Sequence, residues 1–333
     1  MNFIILGAGA VGCYLGGRLA AGGRRVVLVG RPRTIETLAS TGLHVKDPDG
    51  GEARIPARQL GLATSLASVR TDAPLALLVC VKGSGTESAA LEIAACCPAG
   101  TTVVSMQNGV DHLARLRAIA PRIRALAGLV ACNIAMPELG RVQRTSAGDF
   151  HLERTEFGVE LARVFQACGL RTRLASDMRS LQWGKLLLNL HHPVNAQSEL
   201  SLRAQLQDRD YRQVLAGLQQ EALMVLRRAG IRPGRVGPLP PAWLPLALRL
   251  PDWLFQRVAA NLMRLDDVAR SSMWDDQPYG RGTDIHDLCG AIVRLAAQHG
   301  VSAPRNAAMY EMATSHRKGW RLSGPEKRKT APS

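Results

Sequence analysis

Three glycines near the start of the chain are spaced for phosphate chemistry: Gly7-Ala8-Gly9-Ala10-Val11-Gly12 reads G-x-G-x-x-G. They follow the apolar run Asn2–Leu6, short enough for a buried strand. They precede Tyr14–Ala21, which reads as a helix. In that context Gly7 permits a tight turn, Gly9 lets a pyrophosphate approach the backbone, and Gly12 lets the helix pack close to the strand. The helix N-terminus adds free N–H groups and a positive dipole end. Without the flanking strand and helix the same spacing is a glycine-rich turn with no ligand. With them it predicts a dinucleotide site formed by residues 7–12.

The second predicted strand, Arg25–Val29, ends at Gly30-Arg31. A site for NAD usually places Asp or Glu here, on the ribose 2′-hydroxyl. No acidic residue precedes Glu36. Arg31 stands where a 2′-phosphate would lie, with Arg33 close by, and a guanidinium offers that phosphate a planar fork of donors. The residues therefore read as NADP(H) rather than NAD. The plainer alternative makes Arg31 one surface arginine among many.

The chain writes its positive charge as arginine: of 42 basic residues only six are lysines, at 46, 82, 185, 318, 327 and 329. Lysine differs from arginine in carrying a compact charge and a proton it can release, so Lys82 and Lys185 stand out. Lys82 follows the apolar run Leu75–Val81 and precedes Gly83-Ser84-Gly85. The carboxyl end of a buried strand is where open α/β sheets bind ligands. The next predicted strand, Thr101–Met106, ends in Gln107-Asn108-Gly109, with a helix from about Val110. Lys185 lies in the predicted helix Met178–Leu190, with Asn189 four residues on and so on the same face. Leu186, Leu187 and Leu190 bury that helix and partly desolvate the lysine. A lysine among leucines beside an amide suits a proton donor. It equally suits a lysine snorkelling from the edge of a core helix, and spacing alone leaves both open.

The elements that must position these residues fall into two groups. Residues 1–172 read as a parallel sheet with helices on both faces. To this are added a hairpin at 43–56, with Asp-Gly-Gly at its turn, and further strands at Arg124–Ala135 and Asp149–Leu152. This domain closes near Gly169–Ala175. Residues 173–316 read as all-helical, with helices at Met178–Leu190, Asp208–Ala229, Trp243–Asp267, Asp284–His299 and Ala303–Ala313, and a loop at Gly230–Pro241. A helical domain beside a nucleotide-binding one is expected to make a cleft, a common ligand site. Residues 317–333 form a basic tail, expected to be disordered.

Composition narrows the function classes. A chain of 333 residues with 46% hydrophobic content can build about two cored domains. No apolar run reaches the ~18 residues of a membrane span. Met1 runs straight into a strand with no basic leader, so no signal peptide is expected. Seven cysteines form no C-x-x-C pair and read as reduced thiols of a cytoplasmic protein. The net charge of +15 is scattered, without a nucleic-acid motif and with few aromatics. It implies no specific nucleic-acid partner and a general affinity for anionic substrates. His191-His192 would need further ligands to hold a metal, and the sequence shows none, so no metal is expected.

These blocks together resemble the ketopantoate reductases over roughly residues 1–315. The resemblance rests on GAGAVG at 7–12, Arg31, Val81-Lys82, Gln107-Asn108-Gly109, Trp183-x-Lys185-Leu186-x-x-Asn189, Arg270-Ser271-Ser272-Met273-x-x-Asp276 and Gly282-Thr283-Asp284-Ile285. It implies a Rossmann-type domain followed by an all-helical domain like the C-terminal domain of 6-phosphogluconate dehydrogenase. It also implies NADPH-dependent reduction of 2-dehydropantoate to (R)-pantoate, a step toward pantothenate and coenzyme A. By the same resemblance Gly7, Ala8, Gly9, Ala10, Val11 and Gly12 hold the pyrophosphate and Arg31 the 2′-phosphate. Lys82 and Asn108 line the crevice, Lys185 is the general acid, and Asn189, Ser272 and Asp284 bind substrate. The implied partner is a small 2-keto acid, and the protein a monomer or homodimer.

Two positions depart from the family pattern. Asp284 stands where the family usually has Glu, one methylene longer. The asparagine usually found about two turns after the lysine is replaced by His192 or Pro193. Both departures touch substrate binding, and they admit a different 2-keto acid as substrate. A nucleotide-binding sensor without turnover is the rival class, and the retention of Lys185, Asn189 and Ser272 argues for an enzyme.

Overall fold

The computed structural model describes residues 1–69, 75–198, 200–258 and 284–315. The chain divides into two compact units, Met1–Met178 and Arg179–Ser333.

The first unit alternates strands and helices. In chain order it contains β1 (Asn2–Leu6), α1 (Ala10–Ala21), β2 (Val26–Val29), α2 (Pro32–Thr41), β3 (Leu43–Lys46), β4 (Glu52–Ile55), β5 (Gly61–Ala63) and β6 (Leu75–Val79). There follow α3 (Thr86–Cys96), β7 (Thr102–Ser105), α4 (His112–Ile119), β8 (Arg124–Val130), β9 (Ile134–Glu138), β10 (Arg141–Arg144), β11 (Phe150–Glu153), α5 (Glu156–Ala167) and β12 (Thr172–Ala175). Eight strands form one sheet in the order β12-β11-β8-β7-β6-β1-β2-β5, parallel except where β11 meets β8. The central strands carry apolar runs because both of their faces are covered. Phe3, Ile5, Leu28, Leu78 and Val104 pack toward α1 and α5, and Ile4, Leu6, Leu77 and Val103 toward α3 and α4.

Helix α1 is buried on nearly every side, because a second sheet, β4-β3-β10-β9, covers its outer face. Two adjacent glycines make room. A Cβ on Gly16 would lie 2.8 Å from Leu28 of the large sheet, and one on Gly17 would lie 2.3 Å from Val45 of the small one. The buried Asp47, at the β3–β4 turn, locks this layer down. It accepts from Tyr14 Oη at 2.5 Å and pairs with Arg18 at 3.3 Å and Arg144 at 3.0 Å. The expected hairpin at 43–56 is thus present, with Gly50 at φ +88° in its turn. The expected strand Arg124–Ala135 divides instead into β8 and β9. Ala131 N–H donates to Asp149 O at 3.0 Å, the chain turns there, and β9 leaves for the small sheet. Helix α1 starts four residues earlier than expected, and α4 two residues later than the expected Val110.

The second unit is helical: α6 (Met178–Asn189), α7 (His191–Ser198), α8 (Leu202–Gln207), α9 (Arg209–Arg228), α10 (Leu244–Leu248), α11 (Asp252–Val258), α12 (Cys289–Gln298) and α13 (Pro304–Thr314). Helix α9 is its spine, touching α7, α8, α10, α12 and α13. Asp208 caps its N-terminus through Asp210 N–H at 2.8 Å. The buried Glu221 on α9 caps α13 in turn, accepting from the backbone N–H groups of Arg305 at 2.9 Å and Asn306 at 2.8 Å. These are the donors a helix leaves unsatisfied at its start.

Two expected helices are interrupted. The stretch expected as one helix over Trp243–Asp267 is a short 3-10 turn, α10 and α11, with 259–267 outside the described residues. Pro251 sits between α10 and α11 and can neither donate nor allow its predecessor a helical conformation. Arg212, 1% exposed, takes up the freed carbonyls, donating to Leu248 O at 3.1 Å and Leu250 O at 3.4 Å. It also meets Asp252 at 2.5 Å and stacks 4.3 Å over Phe255. Asp284–His299 is likewise a 3-10 turn at Asp284–His286 followed by α12, because Leu288 leaves helical geometry with ψ −95°.

Candidate active site

In the first unit four strand ends converge. The sheet order β7-β6-β1-β2 places the ends of these parallel strands side by side, at the point where successive connections turn opposite ways from β1. Ligands of open α/β sheets bind at such switch points. The glycine loop lies after β1. Its Gly7 and Ala8 N–H groups donate to Val29 O at 2.9 and 3.1 Å, and Cys80 N–H to Leu6 O at 2.8 Å, so β2 and β6 frame the turn.

Each glycine of the loop has its own reason. Gly7 has φ +113°, and a Cβ there would lie 2.6 Å from Val81 N. A Cβ on Gly12 would lie 2.0 Å from Gly7 O. Gly9 is different: a Cβ there would meet nothing within 4 Å. Its backbone conformation (φ −89°, ψ −167°) suits any residue, so neither packing nor strain within the protein demands a glycine. It is also the N-cap of α1 and brings no side-chain hydrogen bond to the helix start. Open space before an uncapped helix N-terminus fits a phosphate group.

The remaining residues expected in the first unit stand around that loop. Arg31 is exposed and caps α2 just after β2. A Cβ on the neighbouring Gly30 would lie 2.6 Å from Ala8 Cβ, so the Arg31 segment passes close against the glycine loop. Lys82 is half-buried after β6, where its carbonyl accepts from Gly85 N–H at 2.8 Å and closes a short 3-10 turn. Asn108 follows β7. The structure therefore brings the glycine loop, Arg31, Lys82 and Asn108 to one edge of one sheet. Cys13 and Cys80 lie close to this edge, but burial pushes both thiols up, Cys13 to about 12, which leaves them poor nucleophiles at neutral pH.

In the second unit α6 carries the half-buried Lys185 and the buried Asn189 one turn apart. This helix is fixed on two sides. The loop expected at Gly230–Pro241 runs against one of them: Gly234 N–H donates to Ser180 O at 2.7 Å, and Ser180 Oγ donates to Arg232 O at 2.7 Å. A Cβ on Gly184 would lie 1.8 Å from Gly234 O, so the two backbones touch one residue before Lys185. Trp183, Leu186, Leu187 and Leu190 are buried. At the helix end, where carbonyls lack intrahelical donors, Gln219 Nε2 donates to Leu187 O at 3.1 Å and His191 Nδ1 to Leu188 O at 2.7 Å.

His191 and His192 face each other edge to face, their ring centroids 4.3 Å apart. Among the described residues no group of three or more His, Cys, Asp or Glu could hold a metal ion. Asp284 is buried at the start of its 3-10 turn. That turn is held by Tyr310 Oη, 2.7 Å from His286 Nδ1, and by Arg294, which donates to His286 O at 3.0 Å. Ser272 and Thr283 lie outside the described residues. The sequence carried no signal for Gly184 and Gly234, because their meeting is a property of two segments fifty positions apart. Nor did it assign His191, whose part in ending the lysine helix depends on Leu188 O being left bare.

No helix among the described residues is long and apolar enough to cross a membrane. Comparison with known proteins agrees with the residues. Residues 3–156 match the family model of ketopantoate reductase PanE/ApbA, and residues 177–317 match that of its C-terminal domain. A 2-dehydropantoate 2-reductase of Halobacterium salinarum is 27% identical over 312 residues, covering 91% of this chain and 95% of the relative. The crystal structure of a PanE/ApbA family ketopantoate reductase from Ralstonia eutropha superposes with a TM-score of 0.79 at 27% identity, covering 94% of this chain and 97% of that one. A ternary structure of D-mandelate dehydrogenase with NADH and anilino(oxo)acetate shares the fold at 18% identity, with a TM-score of 0.76 over 95% of this chain and 97% of its own. With both domains matched in order and nearly the full length covered, the chain belongs to the ketopantoate reductase family.

Proposed function

We propose that the protein reduces 2-dehydropantoate to (R)-pantoate with NADPH, in the cytoplasm, as a step toward pantothenate. The observation that carries this reading is the open, uncapped glycine loop beside Arg31, in a chain whose second unit keeps Lys185 and Asn189 on one helix face. Bound NADPH supplies the hydride. Gly7 to Gly12 offer the pyrophosphate backbone N–H groups and the positive end of α1. Arg31 pairs with the 2′-phosphate.

The carbonyl carbon gains the hydride, and its π electrons pass to oxygen. Lys185 gives that oxygen a proton as the charge forms, and its ammonium becomes an amine. Asn108, Asn189, Ser272 and Asp284 hold the substrate's oxygens. Lys185 is half-buried, beside the buried Leu186 and Leu187 of its own helix, a position from which a side-chain acid can reach a bound substrate.

A second reading keeps the mechanism and changes the substrate to another 2-keto acid. Asp284, one methylene shorter than the family's Glu, and the buried His192-Pro193 pair favour it. NADPH oxidation followed against a panel of 2-keto acids tests both readings. Fastest turnover of ketopantoate supports the first, fastest turnover of another member the second, and no oxidation with any member rejects both.

A further inference from the structure

The first unit contains a continuous chain of buried hydrogen bonds that the proposed reaction does not use. Ser105 Oγ donates to Gln107 Oε1 at 3.0 Å. Gln107 Nε2 donates to Val81 O at 3.1 Å and to Thr86 Oγ1 at 2.7 Å. Thr86 Oγ1 lies 3.0 Å from His112 Nδ1, and His112 Nε2 lies 2.6 Å from Asn108 O. Ser105, Thr86, Gln107 and His112 are 3%, 0%, 7% and 2% exposed.

The polarity of this chain is fixed at both ends, since Val81 O and Asn108 O can only accept. The Gln107 amide must therefore point its nitrogen at Val81, and both of its hydrogens are used. Thr86 accepts one of them and, with the imidazole neutral, turns its own hydrogen to His112 Nδ1. His112 Nδ1 is then bare, and its hydrogen sits on Nε2, facing Asn108. A group turned the wrong way would leave a buried partner unsatisfied, at a cost well above the worth of the bond itself. The chain thus has one low-energy arrangement. It ends on the residue before Lys82 at one side and on Asn108 at the other.

We propose that His112 is a positioning residue: acting through Thr86 and Gln107, it fixes the spacing between the loops that carry Lys82 and Asn108. The functional consequence rests on the reading above, which gives those two residues their roles in the crevice. The brace itself does not depend on that reading.

The test is a double-mutant cycle. His112→Leu removes both of its buried hydrogen bonds and should lower kcat/KM for the best 2-keto acid by about 5- to 30-fold. On an Asn108→Ala background, which keeps the backbone carbonyl that accepts from His112 and removes only the side chain the brace positions, the same change should cost less than about twofold. His112→Gln, which keeps an N–H donor at similar reach, should recover most of the loss. In nitrogen-15 spectra His112 should carry its hydrogen on Nε2. The backbone amides of Lys82 and Asn108 should shift in His112→Leu and return in His112→Gln. If His112→Leu does not fold, Thr86→Val removes the same link and must show the same non-additivity.

Equal losses on both backgrounds, a hydrogen on Nδ1, or unmoved Lys82 and Asn108 amides would each overturn the brace. A wild type that turns over no 2-keto acid rejects the functional reading instead, and the spectra still decide the brace.

Discussion

The first unit holds its candidate residues with backbone, and the second holds them with packed side chains. Around the glycine loop the positions are set by strand ends, by Gly7 and Gly12 where a Cβ cannot fit, and by hydrogen bonds to Val29, Leu6 and Val81. On α6 the positions are set by buried Trp183, Leu186, Leu187 and Leu190, by the loop pressed on Gly184, and by two side chains that finish the helix. The contrast fits the two tasks proposed above. A dinucleotide is the same molecule in every turnover, and a fixed backbone cradle suits it. A proton donor needs a particular side chain in a particular environment, and a wedged helix supplies that.

The largest expected effect lies in the second unit. Lys185→Ala should lower kcat by about 10²–10⁴-fold, the usual contribution of general acid catalysis, while NADPH still binds. Lys185→Arg should recover little, because arginine keeps its charge and does not release a proton near neutral pH. Steady-state kinetics beside a cofactor titration separate the two units. Recovery with arginine would make Lys185 a charge for the substrate carboxylate, and an active alanine variant would make it structural.

Next comes the cofactor side. Arg31→Ala should narrow the preference for NADPH over NADH by about 1.5–3 kcal/mol, the worth of a hydrogen bond to a charged group. Dissociation constants for the two cofactors measure it directly. A wild type that binds both equally would remove the 2′-phosphate assignment.

Two alanine substitutions sharpen the contrast further. Gly9→Ala adds a Cβ to empty space in a conformation alanine accepts, so Tm should hold or rise slightly. NADPH binding should weaken, because the methyl group enters the space proposed for the phosphate. Gly184→Ala places a Cβ 1.8 Å from Gly234 O. Overpacking of that kind costs about 1–3 kcal/mol, so Tm and kcat should fall while NADPH affinity stays near wild type. A Gly9→Ala variant that binds NADPH normally would show that the open space is not the phosphate's.

The same contrast explains what could be read from the residues alone. Backbone devices leave local signatures: three glycines at fixed spacing, a strand before them, an arginine after the next strand. Lys185 stood out as a candidate because lysine is rare in this chain and leucines follow it in sequence. Devices that join distant segments left no such trace. Nothing near Gly184 points to Gly234, and nothing in Thr86 or His112 points to Gln107. The second sheet over the outer face of α1 was hidden for a related reason. A helix buried on both sides shows no polar face, so Gly16-Gly17 reads as a weakness until Leu28 and Val45 are seen against it. The division of Trp243–Asp267 followed from Pro251, but the reason the break is tolerated lies in Arg212, about forty residues earlier.

The smallest effect concerns the end of the lysine helix. His191 Nδ1 donates to Leu188 O, and burial holds its pKa below the ordinary 6.5. The folded protein therefore refuses a proton that the unfolded chain accepts as pH falls through about 6.5. In that window the unfolded state binds more protons, so stability from this group rises with pH and is complete above it. The slope cannot exceed that of one proton, about 1.4 kcal/mol per pH unit. Urea unfolding of wild type and His191→Gln between pH 5 and 7.5 isolates the contribution, since every other titrating group is common to both proteins. The gap between the two stability profiles should widen in favour of wild type as pH rises toward 7 and then stay constant. A gap independent of pH would mean that His191 is protonated equally in both states.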